Sequence, residues 1–166
     1  MFLEIDTAIV RKWRVYFEEN YHSELMTNHT KNLSPEAHKS QMVRGFVFQE
    51  IIGNWIKEQL PELDVKVSLS VGKDKYDTDD YDVLIENEFK IDIKSSKAIR
   101  PDYKKCDSVV IGIEEGNGLI IKGYYLTENL EVKQADNPNY LIPTTHIKKI
   151  DTLIKLLKEK YGNKKD

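Results

Sequence analysis

Two aspartates and a lysine stand in a segment whose pattern predicts a β-hairpin, and their types suit metal-assisted chemistry. Asp82 precedes one short apolar run, and Asp92 and Lys94 lie within the next. Apolar residues recur at every second position in both runs, which predicts two strands that each bury one face. Leu84 breaks the alternation in the first run, so the outer face there should be half covered. Because residues two apart share a face of a strand, Asp92 and Lys94 should point to the same side.

The turn between the two strands decides whether the acids meet. If residues 86–88 form a three-residue turn, Ile85 pairs with Phe89 and Asp82 lies directly opposite Asp92. A two-residue turn would shift the register by one residue and place the two carboxylates on opposite faces. It would also divide the apolar residues of the two strands between those faces. The hydrophobic pattern therefore favours the three-residue turn, which brings the acids together.

Facing carboxylates repel each other unless a cation lies between them. Hard oxygen ligands suit Mg²⁺ or Mn²⁺, and Mg²⁺ is commonly held by one or two protein carboxylates together with phosphate and water. An ammonium at Lys94 would stabilise negative charge on a phosphate, or orient and help deprotonate an attacking water. The hairpin thus predicts a Mg²⁺ (or Mn²⁺) site at Asp82 and Asp92, with Lys94 as a catalytic cation.

The spacing of these residues resembles a known signature. Asp82, followed after nine residues by Asp92-Ile93-Lys94, is similar to the motif of the PD-(D/E)xK nuclease superfamily, which has the restriction-endonuclease-like fold. Tyr81 stands where the name of the motif has proline. The resemblance extends from the helix around Gly45–Leu60 to the strand near Leu126, about half of the chain. It implies a metal-dependent endonuclease that hydrolyses phosphodiester bonds in DNA.

The resemblance also implies a role for a residue outside the hairpin. In that superfamily a glutamate on the helix before the sheet often adds a metal ligand or orients the water, and Glu50 is the matching residue. The alternative for Glu50 is a half-exposed surface side chain, and the pattern does not choose between the two. Gln41, Arg44 and Gln49 are weaker candidates on the same helix.

Residues directly after the second strand are candidate substrate contacts. The hydroxyls of Ser95 and Ser96 would lie beside a scissile phosphate, and the cations Lys97 and Arg100 would supply a phosphate-facing edge. The alternative is an ordinary strand end.

Composition sets the class of protein. The chain has 166 residues, 40 % hydrophobic and 32 % charged, which fits one soluble domain with a sizeable core. No stretch approaches the roughly 20 apolar residues of a membrane span. The single cysteine, Cys106, excludes an internal disulfide and a Cys-based zinc site, and no signal peptide is recognisable. We therefore expect a cytoplasmic protein, or one of the host cytoplasm if its origin is viral.

The net charge of −3 weighs mildly against a nucleic-acid binder, since such proteins are usually basic. The acidic excess is local, however, because four aspartates crowd the segment just before the hairpin. A bound metal would neutralise part of this charge. These residues are Asp74, Asp77, Asp79 and Asp80.

The order of predicted elements is helix, helix, strand, hairpin, short helix, hairpin, helix. It indicates an α/β (α+β) fold, in which a mixed central sheet is flanked by helices, and it resembles the core of the superfamily. One domain, 1–166, is expected, with N-terminal helices in 5–60, the sheet in 64–126, and a C-terminal loop and helix in 127–160. The bounds predicted for the separate elements are helices at 6–24, 34–60 and 145–160 and strands at 64–71, 108–113 and 119–126.

Three functions are compatible with this pattern. The first is a DNA endonuclease of restriction, phage or repair and junction-resolving type, acting as a homodimer because cutting both strands needs two sites. The second is a non-catalytic module that binds nucleic acid or protein, in which the acidic hairpin is a solvated edge. The third is a structural Ca²⁺ site on the 74–82 loop. Asp82, Asp92 and Lys94 together favour the first, because an inactive site has no reason to keep all three.

Overall fold

The computed structural model describes residues 1–21, 32–71, 81–95, 106–131 and 140–162. In these ranges, three α-helices surround one β-sheet. The helices are α1 (Thr7–Asn20), α2 (Pro35–Gln59) and α3 (Ile150–Tyr161). The strands are β1 (Phe2–Glu4), β2 (Val65–Val67), β3 (Val83–Ile85), β4 (Phe89–Lys94), β5 (Ser108–Glu115) and β6 (Gly118–Leu126).

The strands form one six-stranded sheet in the order β1-β6-β5-β4-β3-β2. β4 and β5 are parallel, and the other neighbours are antiparallel. The expected α+β class, with a mixed sheet flanked by helices, is confirmed. None of the described helices combines the length and apolar character that crossing a bilayer requires.

The long helix α2 has the ends that the sequence predicts. The Ser34 hydroxyl accepts a hydrogen bond from the Ala37 amide at 3.2 Å, and Pro35 occupies the first turn, where its missing N–H costs nothing. The helix ends at Gln59, with Leu60 as the closing residue ahead of Pro61.

Helix α1 is shorter than predicted. Asp6 caps it by accepting a hydrogen bond from the Ala8 amide at 2.7 Å, so the helix begins at Thr7. It ends at Asn20 rather than at residue 24, because the backbone of Tyr21 is extended with ψ of 128°. From there the Tyr21 hydroxyl meets Nδ1 of His38 at 3.0 Å, which ties the end of α1 to the start of α2.

The core has two parts, one on each face of the sheet. The larger part joins the buried side chains of the helices to one face, and it includes every residue of the stripe predicted for α2. That stripe is Val47, Phe48, Ile51, Ile52, Trp55 and Ile56. The smaller part lies on the other face and contains Cys106, Val109, Ile111, Tyr125 and Ile142.

The bounds of four other elements differ from those predicted. β2 ends at Val67 rather than at residue 71, because Val67 pairs with Val83, the first residue of the antiparallel strand β3. β5 and β6 extend towards each other to a tight turn at Gly116-Asn117. α3 begins at Ile150 rather than at 145, since residues 144–146 form a separate 3₁₀ turn and Lys148 pairs with Tyr124 of β6.

A buried histidine makes stability depend on pH. His38 is buried, and burial lowers the pKa of its imidazole from the ordinary value of 6.5. The unfolded chain therefore takes up the proton at a higher pH than the folded protein does, so stability is lost as the pH falls below about 6.5. Between pH 7 and pH 5, we expect the urea midpoint of the wild type to fall more than that of His38→Phe. Equal pH dependence in the two proteins would contradict this role.

Candidate functional site

The hairpin has the register that the hydrophobic pattern favours. Ile85 pairs with Phe89, and residues 86–88 form the turn between β3 and β4. Glu86 and Asn87 have positive φ angles of 52° and 55°, the left-handed conformation that a short turn requires. The inward residues Val83, Ile85, Phe89 and Ile91 are buried, as predicted, and Ile93 near the end of β4 is half-buried.

The backbone at Asp82 departs from a regular ladder. β3 begins at Val83, which pairs with Ile91. The Asp82 amide also donates to the Ile91 carbonyl, at 2.9 Å, so Asp82 and Val83 both oppose one residue, as in a β-bulge. Asp82 therefore does not lie directly opposite Asp92, and that detail of the prediction is wrong. A bulge also re-aims the side chain of the extra residue.

The re-aimed carboxylate of Asp82 still reaches β4 beside Asp92. Its Oδ2 accepts a hydrogen bond from the Ile93 amide at 2.6 Å. Because that nitrogen is bonded to the carbonyl carbon of Asp92, Asp82 Oδ2 lies no more than about 5 Å from the Cα of Asp92. The Asp82 side chain thus supplies the acceptor that a strand partner of Ile93 would otherwise provide, and its carboxylate lies near the backbone of Asp92.

Asp92 and Lys94 share one face of the sheet. In the parallel pair of β4 and β5, Asp92 lies beside Val109 and Lys94 beside Ile111, which both belong to the smaller core. The side chains of Asp92 and Lys94 are 18 % and 39 % exposed, so the pair lies at the border of core and solvent.

One oxygen of Asp92 has an unusual environment. Oδ2 is buried, and no described donor makes a hydrogen bond of acceptable geometry to it. Nζ of Lys94 lies 2.7 Å away, an ion pair without hydrogen-bond geometry. A buried carboxylate oxygen normally has a hydrogen-bonded partner or a cation. Lys94 supplies that cation here, and the oxygen keeps lone-pair capacity with which it can accept a further ligand.

Glu50 is held by helix α1. It is 9 % exposed, so the alternative of a half-exposed surface side chain is wrong. Nζ of Lys12 lies 2.6 Å from Oε1 and 2.5 Å from Oε2, and the indole N–H of Trp13 donates to Oε2 at 2.7 Å. Sequence reasoning missed this pairing, because only the packing of α1 against α2 brings the three side chains together.

The structure does not gather Glu50 with the two aspartates. α2 packs on one face of the sheet, with Phe48 and Ile52 over Gly112, whereas Asp92 points to the other face. Among the described residues, no three His, Cys, Asp or Glu side chains form a group that could hold a metal ion. A ligand role for Glu50, which the resemblance implies, stays a prediction.

The remaining candidates are only partly within the described ranges. Ser95 directly follows β4 and is half-buried, near the end of the strand that carries Asp92 and Lys94. Ser96, Lys97 and Arg100 lie outside the described residues. The proposed Ca²⁺ loop at 74–82 also lies outside them, except for its last two residues.

The chain was compared with known proteins at the level of sequence family and of structure. No protein-family model matches it, and neither a curated protein nor a solved structure is significantly similar to it. Membership of the PD-(D/E)xK superfamily therefore stays a prediction that rests on the residues of the hairpin.

Proposed function

We propose that the protein is a metal-dependent endonuclease that hydrolyses phosphodiester bonds in DNA. In this proposal Asp82 and Asp92 bind Mg²⁺ (or Mn²⁺), and Lys94 is the catalytic cation. The observation that carries the proposal is the buried Oδ2 of Asp92, which lacks a hydrogen bond among the described residues and lies 2.7 Å from the ammonium of Lys94. The carboxylate of Asp82 binds the next amide of the same strand, that of Ile93. The Lys94 ammonium offsets part of the cost of burying this oxygen of Asp92, and a hard divalent cation would add the coordination that a hydrogen bond does not supply.

The donor set fits a hard divalent cation. Both candidate ligands are carboxylates, and Mg²⁺ sites commonly use one or two of them, with water and substrate phosphate completing the octahedron. A third acidic ligand is therefore not required. When bound, the ion would activate a water molecule and stabilise charge on the phosphate.

The protein's own residues would position the reacting groups. Asp82 is fixed by the Ile93 amide, so its carboxylate needs little reordering to bind a cation. Asp92 holds the ammonium of Lys94 on its own face of β4, 2.7 Å away. From there Lys94 would donate to a non-bridging phosphate oxygen of a DNA strand lying across the end of the hairpin.

The proposal also implies a substrate, an oligomeric state and a cellular location. The substrate is DNA, with Ser95 and, beyond the described residues, Ser96, Lys97 and Arg100 as contacts to its backbone. Cutting both strands needs two sites, which favours a homodimer. A nuclease of this kind would act in the cytoplasm, or in that of a host cell.

Cleavage of a supercoiled plasmid tests the proposal. We expect nicked and linear products with Mg²⁺ or Mn²⁺ and none with EDTA. Asp92→Ala and Lys94→Ala should each slow cleavage by at least about a hundredfold, because each removes a charge that acts on the transition state. Lys90→Ala is the matched control, since Lys90 lies on the same strand as Lys94 and has no proposed role.

A non-catalytic scaffold is the second candidate. It is favoured by the structural partners that Asp82 and Asp92 already have, the Ile93 amide and Lys94, and by the net charge of −3. If the wild type cleaves no plasmid, single strand, RNA or branched DNA with either metal, this candidate replaces the first. Cleavage that survives both substitutions would mean that the chemistry lies elsewhere in the chain.

A further inference from the structure

A series of hydrogen bonds connects helix α2 to the carboxylate of Asp82. The side-chain amide of Gln49 donates to the Ser68 carbonyl, and the Ser68 amide donates to the Asp82 carbonyl at 2.8 Å. Asp82 is bonded in turn to β4, through the Ile91 carbonyl and the Ile93 amide. The series therefore runs from a helix, across the ends of two strands, to the strand that carries Asp92.

These hydrogen bonds connect the backbone just beyond the ends of β2 and β3, where regular strand pairing has stopped. Ser68 follows the last residue of β2, and Asp82 precedes the first residue of β3. Without the ladder, the orientation of Asp82 depends on the groups that bind its backbone. Ser68 supplies one of them and is itself 9 % exposed, so water has little access to this bond.

Helix α2 is a rigid support for this bond. It has 25 residues, and Gln49 stands between the buried residues Phe48 and Glu50. β2 also lies very close to the helix, because a Cβ on Gly53 would come within 2.6 Å of Cγ1 of Val67. The distance between Gln49 and Ser68 is thus fixed by packing on both sides of the bond.

We propose that Gln49 is a positioning residue, which aims the carboxylate of Asp82 at the metal through Ser68. This inference rests on the proposed function. An amide suits the task because it donates to a carbonyl without adding charge near the metal. A glutamate there would place a second acceptor against the Ser68 carbonyl.

Two measurements on Gln49→Met test the inference. Methionine keeps the length and helix propensity of glutamine but cannot donate. We expect the dissociation constant for Mn²⁺, measured with the metal alone, to rise by about tenfold, the lower end of the range for groups that support a ligand. We also expect faster hydrogen exchange of the Ile93 amide in the metal-free protein, relative to the Leu157 amide in α3.

The controls separate positioning from general destabilisation. Asn54→Met changes an exposed residue of the same helix and should alter neither quantity. Gln49→Lys restores a donor and should recover part of the Mn²⁺ affinity. If Gln49→Met is too unstable to measure, Gln49→Glu removes the donor at nearly the same volume and should give the same two changes.

The outcomes distinguish this inference from the proposed function. Unchanged Mn²⁺ affinity and unchanged Ile93 exchange in Gln49→Met, with a wild type that binds Mn²⁺, would overturn the inference and leave the proposed function standing. A wild type that binds no Mn²⁺ would overturn the proposed metal site and, with it, the role of Gln49 in metal binding. Faster exchange and weaker binding together would support both.

Discussion

Replacing Asp82 with asparagine should lower metal-dependent cleavage about a thousandfold, while the free energy of unfolding changes by less than about 1 kcal/mol. The amide oxygen of asparagine can still accept the hydrogen bond from the Ile93 amide, so the end of the sheet keeps its support. The negative charge that a hard cation requires is lost. Asparagine thus separates the structural role of Asp82 from its proposed chemical role.

Asp82→Ala removes both roles at once. We expect the same loss of cleavage, together with a loss of about 1–2 kcal/mol in the free energy of unfolding, because the Ile93 amide loses its acceptor. Single-turnover cleavage and urea unfolding measure the two effects. Full activity in Asp82→Asn would show that Asp82 only completes the sheet and would contradict the proposed metal site.

Asp107 provides a matched control for these variants. Its Oδ2 accepts a hydrogen bond from the Lys90 amide at 2.7 Å, so it supports an amide of β4 as Asp82 does, but near the other end of the strand. It has no proposed part in the chemistry. Asp107→Asn should therefore leave cleavage and stability close to those of the wild type.

The register of the hairpin could be predicted from the sequence, because a shift of one residue would turn the apolar side chains of one strand from the core to the solvent. Val83, Ile85, Phe89 and Ile91 must all face the same way, and only an odd turn allows that. The start of α2 could be predicted equally well. Ser34 caps the helix through a hydrogen bond to a nearby amide, and Pro35 has the backbone geometry of a first helical turn. Such features depend on near neighbours in the chain.

The bulge at Asp82 and the environment of Glu50 could not be read in this way. The bulge depends on where β2 stops and on the bond from Ser68, which is remote in sequence from Asp82. The helical pattern places Glu50 at the edge of the buried stripe of α2. That pattern carries no information about α1, the helix that covers Glu50. Lys12 and Trp13 come 38 and 37 residues earlier, and only tertiary packing brings them to Glu50.

Replacing Glu50 with alanine should lower the free energy of unfolding by about 3 kcal/mol, the largest loss of stability that we expect from the candidate residues. Most of this loss comes from Trp13, which is 5 % exposed and whose indole N–H would be left without an acceptor. Lys12 adds less, because half of its side chain is exposed and water can replace the carboxylate. Urea unfolding at constant m-value measures the change.

Two controls assign the loss to the indole. Glu58→Ala, an exposed position on the same helix, should change the free energy of unfolding by no more than about 0.5 kcal/mol. Trp13→Phe removes the donor, so Glu50→Ala should cost less in that background than in the wild type. Equal costs in the two backgrounds would contradict a role for the hydrogen bond between Trp13 and Glu50.

Glutamine at position 50 decides between packing and metal binding. Glu50→Gln keeps an acceptor for Trp13 and should cost only about 1 kcal/mol of stability. If Glu50 serves mainly to hold α1 against α2, as its three contacts indicate, the Mn²⁺ affinity of this variant should equal that of the wild type. Weaker Mn²⁺ binding at nearly unchanged stability would instead support the ligand role that the resemblance implies. In that case Lys12 and the metal would compete for, or share, the lone pairs of the same two oxygens.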